Sequence, residues 1–374
     1  MPTLLLSTCG TSSLTNHLRA HPVPGFHGGH LNQLTNYARL EEMPEGQRAN
    51  VSQLLDTARE RLPTLDAAAA ALASAEINGI TRVEGGLEPG TQHYLLATDT
   101  YVGRATAGII KAWLSVRGLQ AAVFPIEELN TNSSDSFMAG AKNLLEFVDG
   151  TVAEFGESHR VVFNLTGGFK SLLGMMTTLG AFYADEIVYV FESGDDLIRI
   201  PRLPIRLDNG LFRDHAAALL RMSRDEYLPE AEVQGLPGAL LEAAGEGRYG
   251  LSVWGELLWK RNREDILSDD LQELPYLRYE TSFVDDYRKL QKPQRVEVQE
   301  TLARVSALLA TSKGSREALL GHRAGSLKYE QFSGNKSAYG HFRLSGGRRV
   351  SCEPTAKGLT LRHVGEHDYV NDRP

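Results

Sequence analysis

The sequence predicts an α/β chain in three parts: a parallel sheet covered by helices over residues 1–205, a helical connector over 206–274, and a small α+β domain with an antiparallel sheet over 275–374. Three observations predict it. Short apolar, β-branched runs alternate with stretches whose apolar residues recur at three- and four-residue spacing over about the first 190 residues, the pattern of a parallel sheet with helices on both faces. From Pro201 the composition shifts to short apolar segments punctuated by glycine. After Leu309 the period changes to that of strands separated by glycine turns.

The N-terminal elements follow in order. Thr3 to Thr8 reads as a strand, and Glu45 to about Ala75 as a helix that Pro63 breaks or kinks. Tyr94 to Ala97 is the next strand, followed by a helix through Leu114. Ala121 to Ile126 and Phe137 to Phe155 form a further strand and helix. Val161, Val162 and Phe163 form a buried strand; Leu172, Leu173, Met175, Met176, Leu179, Phe182 and Tyr183 then mark a helix. Ile187 to Phe191 closes the alternation.

Three strand-to-helix turns carry the chemistry of this part. Ser7-Thr8-Cys9-Gly10-Thr11-Ser12-Ser13 follows the first strand, Thr98-Asp99-Thr100-Tyr101-Val102-Gly103-Arg104 a middle one, and Asn164-Leu-Thr-Gly-Gly-Phe-Lys-Ser171 the central one. In a doubly wound sheet such turns gather at the carboxyl ends of the strands, where ligands bind. Gly167 and Gly168 let a ligand approach the backbone, the helix start favours an anion, and Lys170 adds a mobile cation. The P-loop pattern needs a glycine before its lysine, where Phe169 stands, and the dinucleotide fingerprint needs three glycines where there are two. The expected site is wide, rich in hydroxyls and amides, and charged only at Asp99, Arg104 and Lys170. It suits a ligand with several phosphates and hydroxyls.

Gly235-Leu-Pro-Gly-Ala-Leu-Leu and the segment from Tyr249 to Trp259 read as short helices, with Trp254, Leu257, Leu258 and Trp259 as a core or dimer stripe. Tyr279 to Phe283 reads as a strand entering a helix, and Val296 to Leu309 as a second helix. Leu327–Phe332, Tyr339–Leu344, Arg348–Glu353 and Leu359–Val364 form a meander with turns at Ser345-Gly-Gly and Ala356-Lys-Gly. His341 and Arg343, two apart, share a face, while Phe342 and Leu344 point to the core. Arg349 lies across the turn, and His363, His367 and Tyr369 gather at the end of the last strand. Such a face fits metal-free RNA cleavage, with Arg343 and Arg349 on the phosphate and His341, His367 and Tyr369 as candidates for proton transfer. A basic RNA-binding face without chemistry is the alternative.

Composition bounds the function. Hydrophobic residues make up 42% and the formal net charge is −8, yet Lys313 to Arg349 holds eight Lys or Arg against two Glu. A confined basic patch on an acidic chain suggests one polyanion-facing surface. Two cysteines, Cys9 and Cys352, exclude a disulfide framework and point to a reducing cytoplasm. No signal peptide or membrane span is read. His17, His21, His27 and His30 lack the partners of a familiar metal set and read as a surface loop, so no metal is expected.

The three turns, in this order, resemble the CRISPR-associated Rossmann fold, or CARF domain, over residues 1–205. This implies a homodimer whose sheets share one pocket for a cyclic oligoadenylate, lined by Thr8, Gly10, Thr11, Ser12, Thr98, Asp99, Thr100, Thr166, Gly167, Gly168 and Lys170. Cyclic tetra-adenylate is the expected activator, cyclic hexa-adenylate the alternative, and no cofactor is implied. Some members also cleave the ring slowly. Residues 275–374 resemble a RelE-type toxin, which cuts messenger RNA in the ribosome. The resemblance rests on Gly321-His-Arg-Ala-Gly-Ser-Leu, Phe342-Arg-Leu-Ser-Gly-Gly-Arg-Arg-Val and Gly365-Glu-His-Asp-Tyr. It implies catalytic roles for Arg343, Arg349, His367 and Tyr369, while Gly340 and His341 depart from it, standing where some members carry further basic residues. Together the two resemblances imply a cytoplasmic CRISPR-associated mRNA interferase of antiviral defence, working on mRNA and ribosomes. The rival readings are a ligand-responsive DNA-binding regulator, and a ring nuclease with a structural C-terminal domain.

Overall fold

The computed structural model describes residues 1–191, 196–202, 204, 209–320 and 327–374. The chain forms two compact units, Met1–Ile205 and Arg206–Pro374.

In the first unit β1 (Thr3–Thr8) leads into α1 (Ser12–Ala20), α2 (Gly28–Leu34) and α3 (Glu45–Arg61). The single kinked helix expected over Glu45–Ala75 is three pieces. Pro63 sits in a 3₁₀ turn, Leu62–Thr64, after which Asp66 caps α4 (Ala67–Ala73) and Ser74 caps α5 (Ala75–Arg82), each side chain accepting a free amide of the first turn. Then follow β2 (Gln92–Thr98), α6 (Tyr101–Val116), β3 (Gln120–Ile126), α7 (Ser134–Phe155), β4 (Arg160–Asn164), α8 (Lys170–Tyr183), β5 (Glu186–Val190) and β6 (Leu197–Pro201).

The described strands form a sheet of order β3-β2-β1-β4-β5-β6. The first five are parallel, and β6 runs antiparallel on β5, an edge strand the alternation does not reveal. From β1 the order runs outward through β2 and β3, then reverses to β4, so the crevice past the carboxyl ends of β1 and β4 is the topological switch point. The central strand β1 is buried on both faces, Leu4, Leu5 and Leu6 being fully inaccessible. Val162, Ile109, Ile110 and Trp113 pack with it in one core.

The second unit holds α9 (Asn209–Asp214), α10 (Ala216–Met222), β7 (Leu228–Pro229), α11 (Glu230–Val233), β8 (Leu241–Ala243), β9 (Arg248–Leu251) and α12 (Val253–Asp269). The short helix expected around Gly235–Leu241 is instead a 3₁₀ turn leading into β8. The β7, β8 and β9 strands make a small sheet of order β7-β9-β8. Residues 212–274 share one hydrophobic core with the rest of the unit, Leu257 and Trp259 being buried from α12.

There follow β10 (Leu277–Tyr279), α13 (Thr281–Lys289), α14 (Lys292–Thr311), α15 (Glu317–Leu320), β11 (Glu330–Gln331), β12 (Gly340–Arg343), β13 (Arg348–Thr355), β14 (Gly358–Glu366) and α16 (His367–Asp372). The five strands form a sheet of order β10-β14-β13-β12-β11. It is antiparallel except for β10, which pairs parallel with β14. Phe342, Val350, Leu361 and Val364 pack from one face with Phe283, Leu302 and Val305 of the helices. The strand expected over Leu327–Phe332 shrinks to Glu330–Gln331, and the Gly365-Glu-His-Asp-Tyr segment expected at the end of the last strand enters α16 at His367. The Gly321–Ser326 part of the RelE-like motif lies outside the described residues. Cys9 and Cys352 are free and buried.

Candidate functional site

The three turns of the first unit meet at the switch point. Thr8 Oγ1 donates to the Gly167 carbonyl at 2.6 Å, tying the turn after β1 to the turn after β4. Gly10 passes so close to Gly168 that a Cβ there would lie 2.9 Å from the Gly168 amide nitrogen, and Gly168 itself has a φ of +103°, open to glycine alone at little cost. Thr100 caps α6 by accepting from the Gly103 amide at 3.2 Å, and its hydroxyl pairs with that of Thr98 at 2.8 Å.

A cavity of about 200 Å³ opens among these turns, lined by Gly10, Thr11, Thr98, Thr100 and Gly168 together with Cys9, Asn32, Thr35, Asn36, Gly103, Thr131 and Phe169. Asn32 lies on α2, and Thr35 and Asn36 follow that helix. The Thr131 hydroxyl donates to Asn36 Oδ1 at 2.7 Å, which joins that segment to the turn after β3. Of the other expected ligand residues, Asp99 is held by Arg104 at 2.6 Å. The Thr166 hydroxyl accepts from the Val190 amide at 3.2 Å. Lys170 is exposed at the first position of α8, with no partner among the described residues, and no side chain caps that helix, so its first amides face outward.

One residue organises these turns and was not legible as a site residue. Glu76, on the first turn of α5, is fully buried. Its carboxylate accepts from the Gly10 amide at 2.7 Å, the Ser12 hydroxyl at 2.7 Å and the Ser74 hydroxyl at 2.7 Å. Asn164 continues the network, donating to the Glu76 carbonyl at 3.0 Å and Ser7 Oγ at 3.2 Å. A Cβ on Gly167 would lie 2.3 Å from Glu76 Oε1. Ser12 and Gly167 are therefore built into the floor by this carboxylate. Burial, with the Glu76 charge, pushes the Cys9 thiol up, so Cys9 is not a nucleophile. The histidines at 17, 21, 27 and 30 have local roles: His17 Nε2 meets Thr57 Oγ1 at 3.0 Å, and His27 stacks on His30. Among the described residues no group of three His, Cys, Asp or Glu is placed to hold a metal, and no helix is long and apolar enough to cross a membrane.

In the second unit the sheet brings the expected polar residues into two rungs of one face. His341 of β12 lies opposite Ser351 of β13, which lies opposite His363 of β14; Arg343 lies opposite Arg349, which lies opposite Gly365. His341 is more buried than its alternation with Phe342 predicts, 4% exposed, because β11 flanks β12 with Glu330 against it. Arg349 Nη1 donates to His341 Nε2 at 2.9 Å and to Asn371 Oδ1 at 3.0 Å. A guanidinium only donates, so His341 Nε2 accepts and its proton sits on Nδ1. Burial and Arg349 hold the imidazole below its usual range, so it is neutral.

The last helix bridges two clusters. His367 and Asn371, four apart on α16, reach the His341 and Arg349 side, with Asn371 Nδ2 3.2 Å from His367 Nε2. His367 is half exposed and its Nδ1 lies 2.6 Å from Asp368. Tyr369 reaches the other way. Its hydroxyl donates to both oxygens of Asp286 at 2.9 Å, and His363 Nδ1 lies 2.9 Å from Asp286 Oδ2. Burial works against the charged carboxyl, but the bonds from His363, Tyr369 and Lys289 outweigh it and hold Asp286 below the usual carboxylate range. Burial and the Asp286 charge push the Tyr369 phenol up. Asp286, Asn371 and Glu330 gave no signal in the sequence beyond that of polar residues on short surface elements.

Residues 71–203 match the family model of a CRISPR-associated protein (Cas_APE2256). The matched span includes Glu76 and the turns after β2 and β4, and stops before the second unit. No curated protein matches the chain.

Proposed function

We propose that the chain is a CRISPR-associated sensor joined to a ribonuclease: the first unit binds a cyclic oligoadenylate, taken as cyclic tetra-adenylate, and the second cuts messenger RNA on the ribosome. The observation that carries this reading is the convergence of three hydroxyl- and glycine-rich turns on one cavity, two of them inside the span that matches a CRISPR-associated family. Drug-sized ligands fill clefts of roughly 300–1,000 Å³. The cavity of about 200 Å³ in one chain thus holds only part of such a ring, which supports a homodimer sharing the ligand. Thr11, Thr98, Thr100 and Asn36 meet ribose hydroxyls and base edges, while Lys170 and the open amides of α8 meet a phosphate.

In the second unit Arg343 and Arg349, opposed across β12 and β13, supply the charge that a phosphorane builds up. His367, half exposed beside Asp368, stands as proton donor to the leaving 5′-oxygen. His341 is neutral with its Nε2 occupied by Arg349, and so serves to hold that arginine. The reaction needs no metal: the 2′-hydroxyl attacks its own phosphate, leaving a 2′,3′-cyclic phosphate and a 5′-hydroxyl end.

The test is cleavage of messenger RNA with and without purified ribosomes, and with and without cyclic tetra-adenylate. Cuts that require both support the reading. Cuts in free RNA keep the nuclease and remove the ribosome, and no cuts in any mixture reject the effector assignment.

A further inference from the structure

The proton-transfer groups named above leave the 2′-hydroxyl without a base. His341 Nε2 is taken by Arg349, and the Tyr369 hydroxyl is shared between the two oxygens of Asp286. One imidazole on the same face is arranged otherwise. His363 stands in the same rung as His341, one strand beyond Ser351. The register slips between Ser351 and Cys352, so Arg362 is the extra residue of a β-bulge, a feature that re-aims the adjoining side chain. The re-aimed ring meets Asp286 from α13 through Nδ1 at 2.9 Å. Asp286 is 7% exposed and kept ionised by its three donors. A carboxylate only accepts, so Nδ1 of His363 carries a proton, and in the neutral ring the lone pair is on Nε2. Nε2 has no partner among the described residues, and the side chain keeps 16% of its surface open. In the same rung Ser351 Oγ and His341 Nδ1 are buried without partners among the described residues.

We propose that His363 is the general base of the C-terminal site, oriented by Asp286, and that Tyr369 positions Asp286 and transfers no proton. This rests on the ribonuclease reading above. His363 Nε2 takes the proton of the 2′-hydroxyl as the 2′-oxygen bonds to phosphorus. The bond from phosphorus to the 5′-oxygen breaks, its electron pair leaves with that oxygen, and His367 protonates it. His363 then loses its proton to solvent and His367 regains one, so the cycle needs no other reactant. Asp286 keeps the ring in the tautomer whose free nitrogen faces the substrate, the role an orienting carboxylate has beside a catalytic histidine in general.

The experiment uses the full chain with ribosomes, messenger RNA and cyclic tetra-adenylate, and separates kcat from KM for His363→Ala, Asp286→Asn and Tyr369→Phe. His363→Ala should lower kcat by roughly 10²- to 10⁴-fold with KM nearly unchanged, and imidazole in the buffer should restore part of the rate. Asp286→Asn should lower kcat without imidazole rescue, and ¹⁵N spectra should show the His363 ring losing its single Nδ1–H tautomer. Tyr369→Phe should cost less than about tenfold, since it removes one of three donors to Asp286. A His363→Ala rate within about twofold of wild type overturns the assignment while leaving the ribonuclease reading intact. Loss without imidazole rescue makes His363 a structural residue and also overturns it. A wild type that cuts nothing removes the ribonuclease reading, and the base falls with it.

Discussion

The Gly10 amide donates to the Glu76 carboxylate over 2.7 Å, so the turn after the first strand is held by a side chain from the fifth helix. Glu76→Ala leaves that amide and the Ser12 and Ser74 hydroxyls without their acceptor. Losing the hydrogen bonds to this carboxylate, with water replacing part of them, costs about 3 kcal/mol. The melting transition of the first unit should fall by roughly 10 °C. Differential scanning calorimetry of the full chain reads it, and an unchanged transition would deny Glu76 its organising place.

Lys170→Ala should weaken binding of cyclic tetra-adenylate by about 10- to 100-fold, the worth of one charge-assisted hydrogen bond. Its thermal transition should stay near that of wild type, because Lys170 has no partner among the described residues. Isothermal titration of the two proteins decides the point.

Arg349→Ala should lower RNA cleavage by about 10²- to 10³-fold, the cost of one group aimed at developing charge. Cyclic tetra-adenylate binding should be retained. Equal losses in cleavage and ligand binding would mark a folding defect in place of a lost phosphate contact. The ends of any residual product, read by their resistance to phosphodiesterase, should still be cyclic phosphates.

His93 on β2 is 1% exposed, and burial lowers its pKa to about 4. The unfolded chain takes up a proton as pH falls below about 6.5, and the native chain does so only near pH 4. Stability is therefore unaffected above that window and declines through it, by about 3 kcal/mol in all. Denaturant titrations of wild type and His93→Gln, run from pH 7 to 4, should diverge over this interval, the variant losing less.

How much of this was legible in the sequence depends on range. Val161–Phe163 and the Leu172–Tyr183 spacing announce β4 and α8 because their burial is written in local periodicity. The two residues that organise the candidate sites are written only in contacts between distant segments. Glu76 is a polar residue at the start of a helix until α5 is laid beside the turn after β1; the Ser74-x-Glu76 cap pattern was its one local trace. Asp286 is a polar residue on α13 until β14 brings His363 to it, 77 positions away. Strand β6 escaped because its residues are mostly exposed, so it lacks the apolar run by which its neighbours are read. His341 was expected on an open face, since alternation assigns sides and cannot tell how deeply the side away from the core is covered.

The two thiols have a practical consequence. Cys9 is 2% exposed and Cys352 is fully buried, its pKa pushed up to about 12. Neither should react with maleimide at neutral pH while the protein is folded. Spin or fluorescent labels can thus be attached at engineered surface cysteines, one in each unit, on the unaltered background. The distance between the probes can then be followed as nucleotide is added.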